Sequence, residues 1–252
     1  MTVWVLLPAF NEASNLPPLL ENLARVLQAA GFPFQVVVVD DGSTDGTAIA
    51  LAAYAGRLPL RVVSHERNLG LARAIETGIR VTTQDAAEGD VVVTMDADNT
   101  HSAMLIPQML DAVRRGADLV IASRYVPGGQ EEGVPPLRRV LSRAIGLLMR
   151  WRFPLRIRDY SSGYRAYRVS LLRAAVAHYG GALIESRGFT VMAELLVKLA
   201  PLRPVVVEVP LHLRYDLKRG ASKMRLIDTI KGYLGLLLSR PWRGDAAGAP
   251  RT

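Results

Sequence analysis

Short, mostly apolar runs that recur along the chain constrain its fold more than any other feature. They cover residues 3–7, 36–39, 60–63 and 91–95, with a fifth at 119–122. Strands that are apolar on both faces are expected where helices cover both sides of a parallel sheet. Between the first two runs, residues 16–27 carry leucines at helical spacing. The pattern predicts an α/β fold with a mostly parallel sheet flanked by helices.

The composition excludes some chemistries and favours an anionic partner. The chain has no cysteine, so a metal ion would be bound by carboxylates or imidazoles. Its net charge of +8 and isoelectric point of about 10.1 indicate a nucleic acid, a phosphorylated small molecule or an anionic membrane. Nucleic acid is disfavoured because the basic residues are not interleaved with stacking aromatics. No apolar stretch reaches the about 20 residues of a membrane span, and the N-terminus does not resemble a signal peptide, so we expect a cytoplasmic location.

Polar clusters follow four of the predicted strands, at residues 8–12, 40–45, 67–68 and 96–98. In open parallel sheets, ligands bind beyond the carboxyl ends of the strands. Asp96 and Asp98 can face one cation, because alternate residues of an extended segment point the same way. Carboxylate oxygens suit Mg²⁺ or Mn²⁺, and such an ion stabilises a departing nucleoside diphosphate. The clusters therefore predict a metal-assisted nucleotide site.

The cluster that follows the second run also resembles the start of a calcium loop. Ala52 stands where that loop needs a bidentate Glu, so a calcium site is excluded. A carboxylate at this position can instead accept a hydrogen bond from a nucleobase N–H. For Asp45, capping of the following helix and contact with a ligand both remain open.

Several motifs, in this order, resemble glycosyltransferase family 2, particularly its dolichyl-phosphate (polyprenyl-phosphate) mannose synthase branch. They are Pro8-Ala-Phe-Asn-Glu12, residues 37–47, Asn68-Leu-Gly-Leu71, Asp96-Ala-Asp98, Ser123-Arg-Tyr125 and Asp159-Tyr-Ser-Ser-Gly163-Tyr-Arg165. The resemblance covers roughly residues 2–224. It implies the Rossmann-like GT-A fold, an inverting mechanism and a nucleotide-sugar donor.

The resemblance also implies a role for individual residues. The donor nucleotide would be bound by Pro8, Phe10, Glu12, Asp41, Asp96, Ala97 and Lys223. The metal would be bound by Asp96 and Asp98, and the acceptor phosphate by Arg124, Arg138 and Ser142. The residues that carry the reaction would be Asp96, Asp98, Arg124 and Asp159. The chain departs from the branch at two places. Thr100 stands where a Gln is frequent, with His101 next to it as in the branch, so the third metal ligand is unassigned. At residues 215–223 the basic residue of the terminal motif is shifted.

We expect one GT-A domain over residues 1–224, with a nucleotide-sugar and metal half at 1–125 and an acceptor half at 126–224. Residues 225–252 are expected to form an amphipathic helix and a disordered tail, and a second amphipathic helix is expected at 137–151. Apolar stripes flanked by Arg and Lys are typical of helices that lie in a membrane interface. Packing on the sheet or on a second subunit gives the same pattern, so homo-oligomer formation stays open.

The sequence thus predicts a metal-dependent, inverting transferase, peripheral at the cytoplasmic face of a membrane. It would move a hexose, mannose or glucose, from a GDP- or UDP-sugar to a polyprenyl phosphate, which is ionised at neutral pH and needs no general base. The alternative is transfer to a soluble hydroxyl acceptor, which would need a base such as Asp159 or Glu194. A nucleic-acid-binding protein is the alternative that is not an enzyme.

Overall fold

The computed structural model describes residues 1–153, 155–186, 188–217 and 226–238. The strands are β1 (Val3–Ala9), β2 (Phe34–Asp40), β3 (Leu60–Ser64), β4 (Val91–Thr94), β5 (Leu119–Ser123), β6 (Gln130–Glu132), β7 (Arg165–Arg168), β8 (Val206–Pro210) and β9 (His212–Arg214). The α-helices are α1 (Leu16–Ala29), α2 (Thr47–Ala52), α3 (Leu71–Asp85), α4 (Ile106–Arg114), α5 (Pro136–Arg152), α6 (Val169–Tyr179), α7 (Val191–Leu199) and α8 (Leu226–Leu238).

The main sheet has seven strands in the order β3-β2-β1-β4-β7-β5-β8. β1 pairs in parallel with β2 and β4, β2 with β3, and β5 with β8, whereas β7 is antiparallel to its neighbours β4 and β5. The expected strands are all present, and the mostly parallel, helix-flanked sheet is confirmed. β3 differs from the expectation of burial on both faces: it is an edge strand, and Val62 is 42% exposed.

Helices cover both faces of the sheet and bury a core on each side. α1 and α4 pack on one face, where the predicted leucine stripe of α1 is buried; each buried leucine contributes roughly 1.5–3 kcal/mol. α3, α6 and α7 pack on the other face. α3 lies so close to β1 that a Cβ at Gly78 would come within 2.1 Å of Leu6 Cδ1. This close packing fixes the start of α3 beside the carboxyl end of β1.

The apolar residues of α5 lie on two faces rather than on one. Leu141 and Ile145 face a cavity inside the protein, and Met149 is buried. An outer set is exposed, and we call it the α5 stripe: Leu137, Val140, Leu147, Leu148 and Trp151. α5 therefore keeps an uncovered apolar surface, most strongly at Trp151, which is 85% exposed.

α8 packs against α5 and against the 3₁₀ turn Gly188–Thr190. The packing is close at Gly232, where a Cβ would lie 2.6 Å from Thr190 Cγ2. Leu234 and Leu238 of α8 are exposed.

Lys223 and the predicted tail lie outside the described residues. The division of the domain into a nucleotide-sugar half and an acceptor half stays a prediction. No described helix combines the length and the apolar character that a membrane span requires.

Candidate active site

Two cavities open at the carboxyl ends of the parallel strands. The large cavity has a volume of about 970 Å³ and extends from the end of β1 to α8. The small cavity, of about 200 Å³, lies between the end of β4, α5 and α8. Both cavities are lined by Asp96, Asp98, Phe189 and Thr229. The two carboxylates that the sequence singles out therefore stand where the cavities meet.

Asp96 and Asp98 are held by Thr100, where the chain departs from the family pattern, and by His101 beside it. Asp98 Oδ1 accepts hydrogen bonds from Thr100 N (3.2 Å) and Thr100 Oγ1 (2.7 Å). The backbone N–H of Asp96 donates to His101 Nδ1 (3.2 Å), and His101 Nε2 lies 3.9 Å from Asp96 Oδ2. Since Nδ1 accepts, the proton of a neutral imidazole is on Nε2 and faces the Asp96 carboxylate. Thr100 and His101 thus support the two carboxylates.

The carboxylate pair fits a divalent cation that is shared with a bound diphosphate. The described residues contain no group of three Asp, Glu or His side chains placed to hold a metal. Mg²⁺ typically uses one or two carboxylates, with substrate phosphates and waters completing its shell. Asp96 and Asp98 supply that number of carboxylates at the wall of the large cavity.

Asp41 lines the large cavity and is almost fully buried. Its Oδ1 accepts from Leu69 N (2.9 Å) and lies 2.7 Å from His65 Nδ1, and its Oδ2 accepts from Gly70 N (2.8 Å). A carboxylate has about four acceptor positions. Asp41 therefore shapes the loop before α3, and within the described part of the chain its Oδ2 accepts one hydrogen bond of the two that it can.

The other residues expected at the nucleotide end have separate places. Pro8, Phe10, Glu12 and Ala97 line the large cavity with Asp41. Asp45 lines neither cavity: it accepts from Thr47 N (2.9 Å) and Ala13 N (3.3 Å). Its carboxylate therefore ties the start of α2 to the loop after β1, whereas the N-cap of α2 itself is Gly46, without a side-chain cap.

The small cavity carries the basic and hydroxyl groups expected for an acceptor phosphate. Arg124, Arg138 and Ser142 all line it. Arg138 Nη1 donates to Tyr215 Oη (2.7 Å), which directs the guanidinium along the wall. Ser142 Oγ accepts from Tyr125 Oη (3.0 Å) and lies 3.1 Å from Ser161 Oγ. The structure thus brings these residues together beside Asp96 and Asp98.

Arg124 is held from behind by Asp159. Nε and Nη2 each donate to one Asp159 oxygen at 2.8 Å, and Nη2 also donates to Ser161 Oγ (2.6 Å). Burial alone would raise the pKa of Asp159, but the Arg124 charge and the hydrogen bonds from Arg124 and Ser162 lower it below its usual value. Asp159 is fully buried and lines neither cavity. The structure therefore makes it a positioning residue for Arg124, and direct participation in the reaction stays a prediction.

Sequence reasoning missed several residues of the site. Glu131 lies between two arginines, 3.6 Å from Arg124 Nη1 and 3.0 Å from Arg139 Nε. Lys231 is the one basic residue among the described residues that line the large cavity. Neither lies in a motif or at the end of a parallel strand. A signal for α8 was available, because Thr229, Gly232 and Leu236 share one helical face and Gly232 permits close packing.

Comparisons with known proteins agree with this geometry. The family model described as Glycosyl transferase family 2 matches residues 4–175. Dolichol-phosphate mannosyltransferase of Pyrococcus furiosus is 33% identical over 228 residues, which cover 89% of this chain and 60% of that protein. Undecaprenyl-phosphate mannosyltransferase of Micrococcus luteus is 36% identical over 225 residues, 89% of this chain and 88% of that protein. This chain thus spans about three fifths of the Pyrococcus protein and most of the Micrococcus one.

A solved structure supports the fold. Glucosyl-3-phosphoglycerate synthase of Mycobacterium tuberculosis, in complex with Mn²⁺, UDP and phosphoglyceric acid, superposes with a TM-score of 0.70 at 22% identity. The match covers 97% of this chain and 80% of that one. Together with the family match, it confirms the expected GT-A fold and the glycosyltransferase class. The chain belongs to glycosyl transferase family 2.

Proposed function

We propose that the protein transfers a hexose from a nucleotide diphosphate sugar to a polyprenyl phosphate. The observation that carries the proposal is that Asp96 and Asp98 line both cavities. A donor in the large cavity and an acceptor phosphate beside Arg138 would meet at these carboxylates. The names of the Pyrococcus and Micrococcus relatives support the lipid acceptor and favour mannose over glucose.

The large cavity would hold the donor. Its volume suits a nucleotide sugar, and Asp41 Oδ2 offers the acceptor position that a nucleobase N–H needs. Mg²⁺ or Mn²⁺ on Asp96 and Asp98 would supply positive charge for the departing diphosphate. Lys231 would add a further positive charge from α8. Either GDP or UDP would fit these residues, and the transfer assay described below identifies the nucleotide.

The small cavity would hold the acceptor phosphate against Arg138 and Ser142. Among the described residues that line it, the only carboxylates are Asp96 and Asp98. The two other candidates for a base are occupied: Asp159 is buried against Arg124, and both Glu194 oxygens accept backbone N–H groups. A phosphate is ionised at neutral pH and needs no base, whereas a hydroxyl does. This residue set therefore favours a phosphate acceptor.

The reaction would be an in-line displacement. A phosphate oxygen forms a bond to the anomeric carbon while the bond from that carbon to the diphosphate breaks, and the electron pair leaves with the nucleoside diphosphate. The anomeric configuration inverts. The protein residues contribute by holding the two substrates in line and by stabilising charge.

A polyprenyl phosphate is anchored in a bilayer, so the site would have to reach the lipid headgroups. The α5 stripe and the exposed Leu234 and Leu238 of α8 form an apolar outer surface on neighbouring helices. Arg143 and Arg150 are exposed on α5 beside this surface. Each such residue adds about 1 kcal/mol of attraction to an anionic membrane. We therefore propose a peripheral membrane enzyme, and its place at the cytoplasmic face stays a prediction.

A transfer assay with matched acceptors tests the proposal. Purified full-length protein would receive GDP-mannose, GDP-glucose or UDP-glucose, with Mg²⁺ or Mn²⁺, and either polyprenyl phosphate in vesicles or phosphoglyceric acid in solution. We expect chelator-sensitive transfer to the polyprenyl phosphate from one of these donors. Transfer to phosphoglyceric acid without transfer to the lipid would establish the hydroxyl alternative instead.

A further inference from the structure

We propose that Glu185 binds a hydroxyl group of the donor hexose and that Glu194 and Lys198 of α7 position it. The inference rests on the proposed nucleotide-sugar donor. Glu185 and Ser186 line the large cavity, in the segment that leads to Phe189 at the junction of the two cavities. The hexose must lie near this junction, because the acceptor phosphate has to reach its anomeric carbon from the small cavity.

α7 holds this segment through charged side chains. Glu194 Oε1 accepts from Glu185 N, and Glu194 Oε2 accepts from Ser186 N, both at 2.9 Å. Lys198 Nζ donates to Glu185 Oε2 (2.8 Å) and to the carbonyl oxygen of Ala182, and lies 3.3 Å from Glu194 Oε1. The backbone and the side chain of Glu185 are therefore fixed from the same helix.

The burial of these charges sets the segment apart from an ordinary loop. Lys198 is fully buried and the Glu194 side chain is 4% exposed, whereas the Glu185 side chain is 53% exposed. Burying an ion pair costs desolvation energy, so it adds little stability compared with apolar packing. The geometric result is specific: Lys198 holds Oε2 of Glu185, while about half of the Glu185 side chain stays exposed at the wall of the large cavity.

The chemistry of a carboxylate identifies the part of the donor that it can bind. A carboxylate accepts hydrogen bonds, and the hydroxyls of a sugar donate them. The diphosphate carries negative charge and would be repelled. Glu185 Oε1 makes no hydrogen bond to the described part of the chain, so it can accept one from the hexose. A hydroxyl whose position differs between epimeric hexoses would then decide which hexose binds.

The experiment compares Glu185→Gln with Glu88→Gln, a matched change of an exposed glutamate away from both cavities. Calorimetry would measure affinities for GDP-mannose, GDP-glucose and UDP-glucose, and for free GDP and UDP, all with Mn²⁺. We expect Glu185→Gln to weaken the preferred nucleotide sugar about tenfold, to change the preference among hexoses, and to leave free GDP or UDP within about twofold.

Two results would overturn the assignment. An unchanged affinity and hexose preference would remove Glu185 from the donor site. An equal loss for the free nucleoside diphosphate would place Glu185 at the nucleotide rather than at the hexose. Wild-type protein that binds none of the nucleotide sugars would instead refute the proposed function, so the two failures are distinguishable.

Glu194 has its own test, because it acts through Glu185. Glu194→Gln keeps the shape but replaces one acceptor oxygen with an N–H donor, so we expect the same change of hexose preference as in Glu185→Gln. The double variant should show no further change, because the two residues act on one contact. A lower melting temperature with an unchanged hexose preference would reduce Glu194 to a structural residue and overturn its positioning role.

Discussion

Asp159 binds Arg124 from behind the wall of the small cavity, through two parallel hydrogen bonds of 2.8 Å. Asp159 has no exposure to solvent and also accepts from the backbone N–H groups of Ser161 and Ser162. The pair thus joins the end of β5 to the loop before β7. The guanidinium that lines the small cavity is fixed by a buried carboxylate that lines neither cavity.

Removing the charge of Asp159 should destabilise the fold. Asp159→Asn keeps the volume but removes the carboxylate that binds Arg124 through two hydrogen bonds and leaves only the more distant Glu131, so we expect a loss of about 3 kcal/mol in the free energy of unfolding. Urea denaturation would measure it, with the exposed Asp111→Asn as control. A loss of the size seen in the control would show that the pair is not coupled to folding.

The pH dependence of stability should carry the signature of Asp159. Its pKa is lower in the folded protein than in the unfolded chain, where it is about 3.9. The stabilisation is therefore fully present above about pH 4 and is lost as the pH falls through the folded pKa. Unfolding midpoints between about pH 7 and pH 3 should fall more steeply for the wild type than for Asp159→Asn. Parallel curves would contradict this.

The metal proposal predicts the behaviour of Asp96 and Asp98. Replacing either with Ala should lower the transfer rate by about a hundredfold or more, since charge on the diphosphate is no longer stabilised. The fold should remain, because Asp96 is half-exposed and the hydrogen bonds of Asp98 to Thr100 reach only two residues along the chain. Activity and Mn²⁺ binding would be measured beside the control Asp111→Ala. Full activity in either variant, or in a chelator, would exclude the mechanism.

Arg138 should act on the acceptor and not on the donor. Arg138→Ala removes a charge-assisted contact in the small cavity. The fall in kcat/KM for polyprenyl phosphate should therefore correspond to a loss of about 1.5–3 kcal/mol in transition-state stabilisation. KM for the nucleotide sugar should stay unchanged. Arg57→Ala, an exposed change away from both cavities and from α5, is the control. If nucleotide-sugar affinity falls instead, Arg138 belongs to the donor site.

The α5 stripe should mediate membrane binding. Changing Leu147 and Trp151 to Ser removes apolar surface, so binding to anionic liposomes should weaken by roughly 2 kcal/mol or more, and rising salt should release the wild type. Val205→Ser, at an exposed site near β8, is the control. Light scattering would detect the alternative: a wild-type dimer that ignores liposomes and dissociates on the double change would make the stripe a subunit interface.

The parallel strands and the carboxylate pair could be predicted from the sequence, because both depend on local patterns. Runs of buried residues define β1, β2 and β4, and the polar residues after them share one edge of the sheet. The position of β7 in the sheet could not be predicted. Its residues pair antiparallel with β4 and β5, and no local periodicity encodes partners so distant in the chain. The same holds for the contacts of Glu194 and Lys198, which arise only when α7 packs beneath the segment at 182–186.

α8 carries a consequence for how ligands and lipid affect one another. One of its faces supplies Thr229, Gly232 and Leu236 to the large cavity, and its outer side exposes Leu234 and Leu238. Under the proposed function, a single helix touches both donor and bilayer. Thermodynamic reciprocity then applies: whatever factor vesicles contribute to nucleotide-sugar affinity, the nucleotide sugar contributes to vesicle affinity. If that factor differs from one, the enzyme with bound nucleotide sugar and the enzyme without it would partition differently between water and membrane.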